Sequence, residues 1–413
     1  MTRKEYFLHD RICVSNDMKS SNGYPKIRRR RLIRRSLIVL IFSCFIFTLI
    51  TAYHPREHIQ NLGVFAESRK RFVLGQDGCT PIPTGNQMLW TFGDTILGTW
   101  KGGMSASSTL EETASIKGMI ANSLAVTDIP TDDTIRDLRF SFFMENGQAA
   151  PFIKTNMRES PARIRLWAAD GIEIDSVVYI YYMIIRILPA ASKSALLPIQ
   201  VLGTGLAEWN RADPLPTGSM PPFRRTVQLF YADEPVFGDS VIRHGEYLYV
   251  TGHGPGTTGM VPAYIARVRP EDIRSRAAYR FLQRGGTWSS QLKTAMPLFN
   301  DVMGEFSLSF NEYVKQFIII YCAKDGTIRC VSFRDFSELE TCSPSVIYRL
   351  PPLPEDATRI MFYYSGKEIF YTRRALYAIY INPAIYQPIL LKIPYASLDE
   401  CVRSSGLVGS RAR

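Results

Sequence analysis

From about residue 72 onward the chain is a succession of short β-branched and aromatic runs, each broken by Gly, Pro, Asn or Asp. Such runs predict strands. They fall at 88–92, 123–126, 138–144, 164–167, 176–187, 226–231, 239–242, 247–251, 263–268, 306–310, 317–322, 327–333, 359–364, 369–371 and 375–381. Helical periodicity is scarce outside one N-terminal apolar run, so the folded part is expected to be all-β. Several runs form a recurring unit of strand, Gly or Asn with a polar residue, then a second aromatic-rich strand. It appears at 239–252, at 306–321 and at 360–372, where Ser365-Gly366-Lys367 reads as the turn. A hairpin repeated every ~50–70 residues is the mark of propeller blades. A chain region of about 340 residues in four-stranded blades then gives five blades. The alternative, a two-sheet sandwich followed by a second β domain, would want a Pro/Ser-rich linker, and none divides the chain. Residues 203–222, rich in Gly and Pro pairs, read as a loop joining blades.

Charge changes the picture at the N-terminus. Residues 1–35 hold eleven Lys/Arg against three acids, which accounts for +8 of the formal +11. Residues 36–52 follow with seventeen positions and no charge, near the lower limit for a bilayer-spanning helix. A basic flank before an apolar run orients the N-terminus toward the cytoplasm. The expected organisation is a cytoplasmic tail (1–35), a transmembrane signal anchor (36–52), a stalk (53–70), an extracytoplasmic propeller (71–398) and a flexible C-terminal tail (399–413). A cleaved signal peptide is the rival reading, but the small-residue site at Val64-Phe65-Ala66 lies too far beyond the apolar run. The basic cluster is explained by topology and contact with an anionic lipid bilayer. Beyond it, 38 basic residues face 35 acidic ones, which leaves no footprint for nucleic acid. Of the five cysteines beyond the anchor, Cys322, Cys330 and Cys342 could hold one disulfide across neighbouring strands. Their spacing is no Cys/His zinc site, so no metal and no cofactor are expected.

The candidate chemistry lies where acids adjoin glycine. Gly75-Gln76-Asp77-Gly78 and Trp90-Thr91-Phe92-Gly93-Asp94-Thr95 each end an apolar run with a carboxylate, seventeen residues apart. Sheet proteins present acids at a pocket mouth in this way, and Gly93 lets a ligand or another strand approach the backbone. Trp90, four residues before Asp94, falls on the same strand face and is a candidate sugar platform. Gly-Asp pairs are also ordinary turn residues, the competing structural reading. Asp170 in Trp167-Ala-Ala-Asp-Gly pairs an acid with a tryptophan suited to stacking on a sugar, although Asp-Gly also suits a plain hairpin. Glu305 follows Met303-Gly304 and precedes an apolar strand, which predicts a partly desolvated proton donor with a raised pKa. Asp239 in Phe237-Gly-Asp-Ser, the nearby Asp233-Glu234 and His253 in Gly-His-Gly-Pro-Gly complete the set.

Taken together, Gly75-Gln-Asp-Gly, Leu89-Trp-Thr-Phe-Gly-Asp-Thr, Asn122-Ser-Leu-Ala, Arg165-Leu-Trp-Ala-Ala-Asp-Gly-Ile and Gly304-Glu-Phe-Ser-Leu-Ser-Phe-Asn-Glu-Tyr resemble the domain-of-unknown-function family 4185 over most of 70–390. The resemblance implies a five-bladed β-propeller similar to glycoside hydrolase families 43 and 117, with some members acting as endo-arabinan hydrolases. It places Asp77 where related propellers carry the general base. It also gives His253 the position at which some of them hold a water or a metal ion. Cys79 departs from the family pattern. Hydrolysis of a glycosidic bond needs one protonated carboxyl and one ionised carboxylate in different environments. Asp77 as base, Glu305 as acid and Asp94 as a tuning acid satisfy this, with a cell-wall polysaccharide as substrate. A carbohydrate-binding propeller without turnover is the alternative, and a lyase holding a uronate on Arg165 or Arg243 is a third.

Overall fold

The computed structural model of the protein describes residues 58–66, 72–102, 114–189, 199–213, 219–255, 261–353, 362–398 and 401. The transmembrane segment expected at 36–52 lies outside them, and among the described residues no helix is long and apolar enough to cross a membrane.

Five antiparallel sheets follow one another along the chain. Strand β1 (Gln60–Val64) comes first and belongs to the last sheet. Blade I contains β2 (Val73–Thr84), β3 (Gln87–Trp100), β4 (Ala114–Ile120), β5 (Ser123–Asp128) and β6 (Ser141–Phe142), ordered β2-β3-β5-β6 with β4 also paired to β3. A small hairpin, β7 (Met144–Glu145) with β8 (Gln148–Ala149), leads onward. Blade II is β9 (Ile164–Ile174), β10 (Val177–Ile187), β11 (Ile199–Asn210) and β12 (Arg224–Tyr231). Blade III runs β13 (Val236–His244), β14 (Tyr247–His253), β15 (Ala263–Val268), β16 (Arg280–Leu282) and β17 (Trp288–Ser289). Blade IV is β18 (Ser307–Asn311), β19 (Gln316–Ala323), β20 (Thr327–Phe333) and β21 (Ser345–Arg349). Blade V joins β22 (Tyr364–Tyr371), β23 (Ala375–Asn382) and β24 (Gln387–Pro394) to β1, in the order β1-β24-β23-β22.

The first strands of the blades form the inner ring: β2 packs on β9 and β22, β13 on β9 and β18, and β18 on β22. Pairing of β1 with β24, Gln60 opposite Lys392 and Val64 opposite Ile389, completes blade V on its outer side with a strand that precedes blade I in the chain and covers the edge of β24. The protein is therefore an all-β, five-bladed propeller.

Five apolar wedges, one between each pair of blades, hold the ring together. Strand β19 shows why its sequence is apolar throughout. Phe317, Ile319 and Tyr321 face the wedge toward blade III, and Ile318, Ile320 and Cys322 face the wedge toward blade V. A strand buried on both faces has no polar side to alternate with. Each fully buried large side chain contributes about 1.5–3 kcal/mol.

Four local expectations change. Residues 60–64, assigned to a stalk, are strand β1 because their backbone completes blade V. Residues 203–210, assigned to a loop, are the second half of β11, where Gly203 and Gly205 face Tyr231 and Gln228 across the sheet. Ser365-Gly366-Lys367 is no hairpin turn but lies within β22, with a register shift between Tyr364 and Lys367. No disulfide links Cys322, Cys330 and Cys342, which are free. The register sets Cys322 opposite Ile328 and Cys330 opposite Ile320, so neither cysteine faces the other.

Candidate functional site at the propeller axis

Four of the five inner strands break their ladders where a site residue stands. In β2 the register shifts on both sides of Gly78, leaving Asp77 outside the pairing. In β9 the shift falls between Gly171 and Ala168, at Asp170. In β13 it spans Gly238, Asp239 and Ser240, and in β22 Ser365 and Gly366. Glu305 lies just ahead of β18, behind Gly304 at φ +73°. A bulge sends a side chain out of the pleat, so four strands, together with the segment ahead of β18, can aim polar groups at one end of the axis without losing their buried faces.

The Asp77 side is the most crowded. Strand β3 pairs with β5 up to Phe92 and with β4 from Thr95 onward, so Gly93 and Asp94 sit between two ladders. A β-carbon on Gly93 would overlap Asp77 Oδ1, which makes this glycine the condition for bringing the two acids together. Asp77 Oδ2 accepts hydrogen bonds from Tyr386 OH at 2.8 Å and Tyr364 OH at 3.2 Å. Burial, followed by the charges of Asp94 and Glu305, outweighs both phenols and pushes its pKa up to about 8. Burial also raises Asp94, to about 6, against the opposing charge of Arg165 and the neighbouring Trp167 indole N–H. That indole falls short of hydrogen-bond geometry, and Asp94 Oδ1 has no partner among the described residues. Arg165 also lines a groove of about 610 Å³ with Ile120, Ala121, Ile153, Ile164 and Leu166.

The opposite side is rich in counter-charge. Ser365 donates to Glu305 Oε2. Burial raises the Glu305 carboxyl, but the Lys367 ammonium, the Ser365 hydroxyl and His253 together hold it below its ordinary value. The expectation of a raised pKa at Glu305 is therefore corrected: burial has the sign anticipated, and a lysine not anticipated at the axis reverses the net effect. Lys367 is 2 % exposed and donates to Thr80 Oγ1 at 2.6 Å. Asp239 Oδ2 binds His253 Nδ1 at 2.7 Å; burial pushes this aspartate to about 6, and the pairing raises the imidazole. Asp170 accepts from the Val241 and Gly171 amides, both at 2.7 Å, and burial lifts it to about 7.

Asp77, Asp94, Asp170, Asp239, His253, Glu305 and Trp167 thus gather at the axial mouth. Trp90 does not. It is fully buried between Phe65 and Phe140, and its Nε1 donates to Thr127 Oγ1 at 2.9 Å, so it is a core residue and no sugar platform. The period-two argument linking it to Asp94 fails because the ladder breaks at Gly93. Asp233 is an exposed turn residue, and Glu234 is bound to Arg276 at 2.6 Å. Arg243 is exposed near the β13–β14 hairpin. Asn122 holds the mouth together: it donates to Leu166 O and Ile153 O and accepts from the Phe152 and Ile153 amides.

Sequence reasoning missed Lys367, Tyr364, Ser365 and Tyr386. Tyr386 stands at φ +51° in the β23–β24 turn, and nothing in Ile385-Tyr386-Gln387 distinguishes it from the chain's other tyrosines. Cys79, at φ +60°, is a buried free thiol in the wedge beneath Asp77, and burial pushes it up. Among the described residues no group of three or more His, Cys, Asp or Glu is arranged to hold a metal ion.

Residues 66–391 match the family described as Domain of unknown function (DUF4185), and the chain belongs to it. The fold is that of a protein from Bacteroides ovatus ATCC 8483 described as a "putative hydrolase", with TM-score 0.57 and 13% identity over 81% of this chain and 89% of that one. A more distant likeness joins it to the GH43_1 enzyme of Xanthomonas citri (TM-score 0.45, 10% identity, 81% and 90% covered). The alpha-L-arabinofuranosidase of Lactobacillus brevis is similarly distant (TM-score 0.41, 10% identity, 79% and 93% covered). No curated protein matches the chain.

Proposed function

We propose that this protein is a glycoside hydrolase that cleaves an envelope polysaccharide, with Asp77 and Glu305 as its acid and base and Asp94 tuning Asp77. One observation carries the reading: adjacent residues of β22, Tyr364 and Ser365, donate to Asp77 and to Glu305, so carboxyls from two blades converge at one axial mouth, one raised by burial and the other lowered by its neighbours. Glycoside hydrolysis needs that asymmetry. The proton inventory reverses the roles expected from the sequence. Asp77 keeps its proton near neutral pH and is the donor to the leaving oxygen. Glu305 is ionised there and acts either as base on the attacking water or as nucleophile at the anomeric carbon, whose bond to the leaving oxygen breaks as Asp77 protonates it. Trp167 flanks the same mouth and supports a sugar ring as ligand, whereas Asp170, its two oxygens held by the Gly171 and Val241 amides, braces blade II against blade III. The basic tail and apolar run at 36–52 favour a membrane-anchored enzyme with its propeller outside the cytoplasm.

The full-length protein in detergent micelles, incubated with arabinan, xylan and galactan, is expected to release oligosaccharides from at least one. Asp77→Asn and Glu305→Gln should each lower the rate by about 10²–10⁴-fold. An aryl glycoside with a good leaving group should restore the donor variant, and azide the variant lacking a base or nucleophile. Unchanged rates in both variants would sink the assignment. Binding to a glycan without release would favour the lectin-like alternative.

A further inference from the structure

Blades I and II carry a cleft beside the axial mouth. The groove of about 610 Å³ that holds Arg165 lies between the β4–β5 connection and the start of β9. It shares Met119 and Ile120 with a hollow of about 370 Å³ walled by Phe72 and Lys117. Through Glu145, Lys154 and Thr155 it also joins a hollow of about 410 Å³ walled by Phe152 and Arg225. Three joined hollows suit a chain of sugars better than a single ring. The cleft adjoins the mouth at Leu166, whose carbonyl Asn122 holds at 2.8 Å and which Trp167 follows.

The charges along this cleft do not cancel. Glu145 in its wall is bound to Lys154 at 2.5 Å, and Arg225 to Glu159 at 2.5 Å. Lys117 instead stands 6.0 Å over the Phe72 ring, and Arg165 Nη1 donates to the Met119 carbonyl at 3.2 Å; among the described residues neither is in an ion pair. One bond to a carbonyl uses a single donor of the five on a guanidinium. The rest of that planar fork matches a carboxylate in two-point contact, and the apolar walls of Ile120, Ile153 and Ile164 strengthen the attraction.

We propose that this cleft binds a uronate-bearing glycan, with Arg165 gripping the carboxylate of the sugar beside the mouth and Lys117 attracting a second one further along. As a statement about substrate class the inference rests on the hydrolase reading; as a statement about binding it does not. The test is calorimetric titration of the full-length protein in detergent micelles with a galacturonate hexasaccharide and with the same hexasaccharide after its carboxyls are reduced to alcohols. The acidic form should bind about ten-fold tighter or more, and Arg165→Gln should remove most of that preference. Lys117→Gln should remove a smaller share, and Lys293→Gln, at an exposed cation beyond β17, none. Equal affinity for the two forms overturns the proposal, as does binding of neither. A preference that survives Arg165→Gln, as attachment to the basic residues of 1–35 would, also overturns it. If Arg165→Gln does not fold, Arg165→Lys keeps the charge without the fork and should weaken acidic binding about three-fold or more; unchanged binding is then the refutation. Cleavage of a neutral glycan without acidic preference would sink this inference alone, and acidic binding without cleavage of any glycan the hydrolase reading alone.

Discussion

On the blade I side of the axis, Asp77 and Asp94 meet with two phenols and only Arg165 as counter-charge; on the side of blades IV and V, Glu305 meets Lys367, Ser365 and His253. Both sides bury carboxyls at or just ahead of their inner strands, and burial alone would raise every pKa. The outcome differs because the groups around Glu305 outweigh its burial, whereas Arg165 does not outweigh that of Asp94. The mouth's chemistry is thus set by the neighbours of its acids, which arrive from other blades.

The comparison depends first on the wedge beneath Asp77. Trp90→Ala should cost about 3–5 kcal/mol and lower the melting temperature measurably, because the indole fills the space between Phe65 and Phe140. Trp167→Ala, at the mouth, should cost much less stability and show instead in KM for a cleaved glycan. Equal losses of stability would erase the distinction between core and mouth tryptophans.

Gly93→Ala tests the close approach. Its methyl would displace the Asp77 carboxyl, and a shift of about 1 Å at a reacting group is worth roughly 10²-fold in rate. Measured kcat should fall by that order with the fold retained, and a normal rate would show that the contact is dispensable.

The smallest effect expected is on stability. A carboxyl whose folded pKa is raised binds its proton more tightly than in the unfolded chain. Asp77 therefore contributes stability that is fully present below about pH 4 and is lost as pH rises through about 8. Melting curves should show a fall between pH 5.5 and 8.5 that Asp77→Asn partly abolishes. Glu305 has the opposite sign, its lowered pKa favouring the fold above the ordinary glutamate range. An Asp77→Asn variant as pH-sensitive as the parent would contradict the unequal charge states.

Much of this was legible in the sequence because strands and glycine-flanked acids are local patterns. Gly-acid pairs at 77–78, 93–94, 170–171 and 238–239 mark the places where ladders break, and the pair at 304–305 lies just ahead of β18. Lys367 carried the same mark, Gly366-Lys367, and was read as a turn because a bulge and a hairpin use the same residues. Trp90 was misplaced for the complementary reason: alternation along a strand holds only while the ladder is unbroken.

By itself the sequence determined the all-β character, the blade count and the positions from which acids leave their strands, since these follow from side-chain period and backbone sterics within a few residues. Only the tertiary structure decided that β1 closes blade V, that Tyr386 and Tyr364 meet Asp77, and that Ser365 meets Glu305. The Asp77–Tyr386 contact spans 309 residues of chain, and proton affinity depends on distance and burial, which no local pattern encodes.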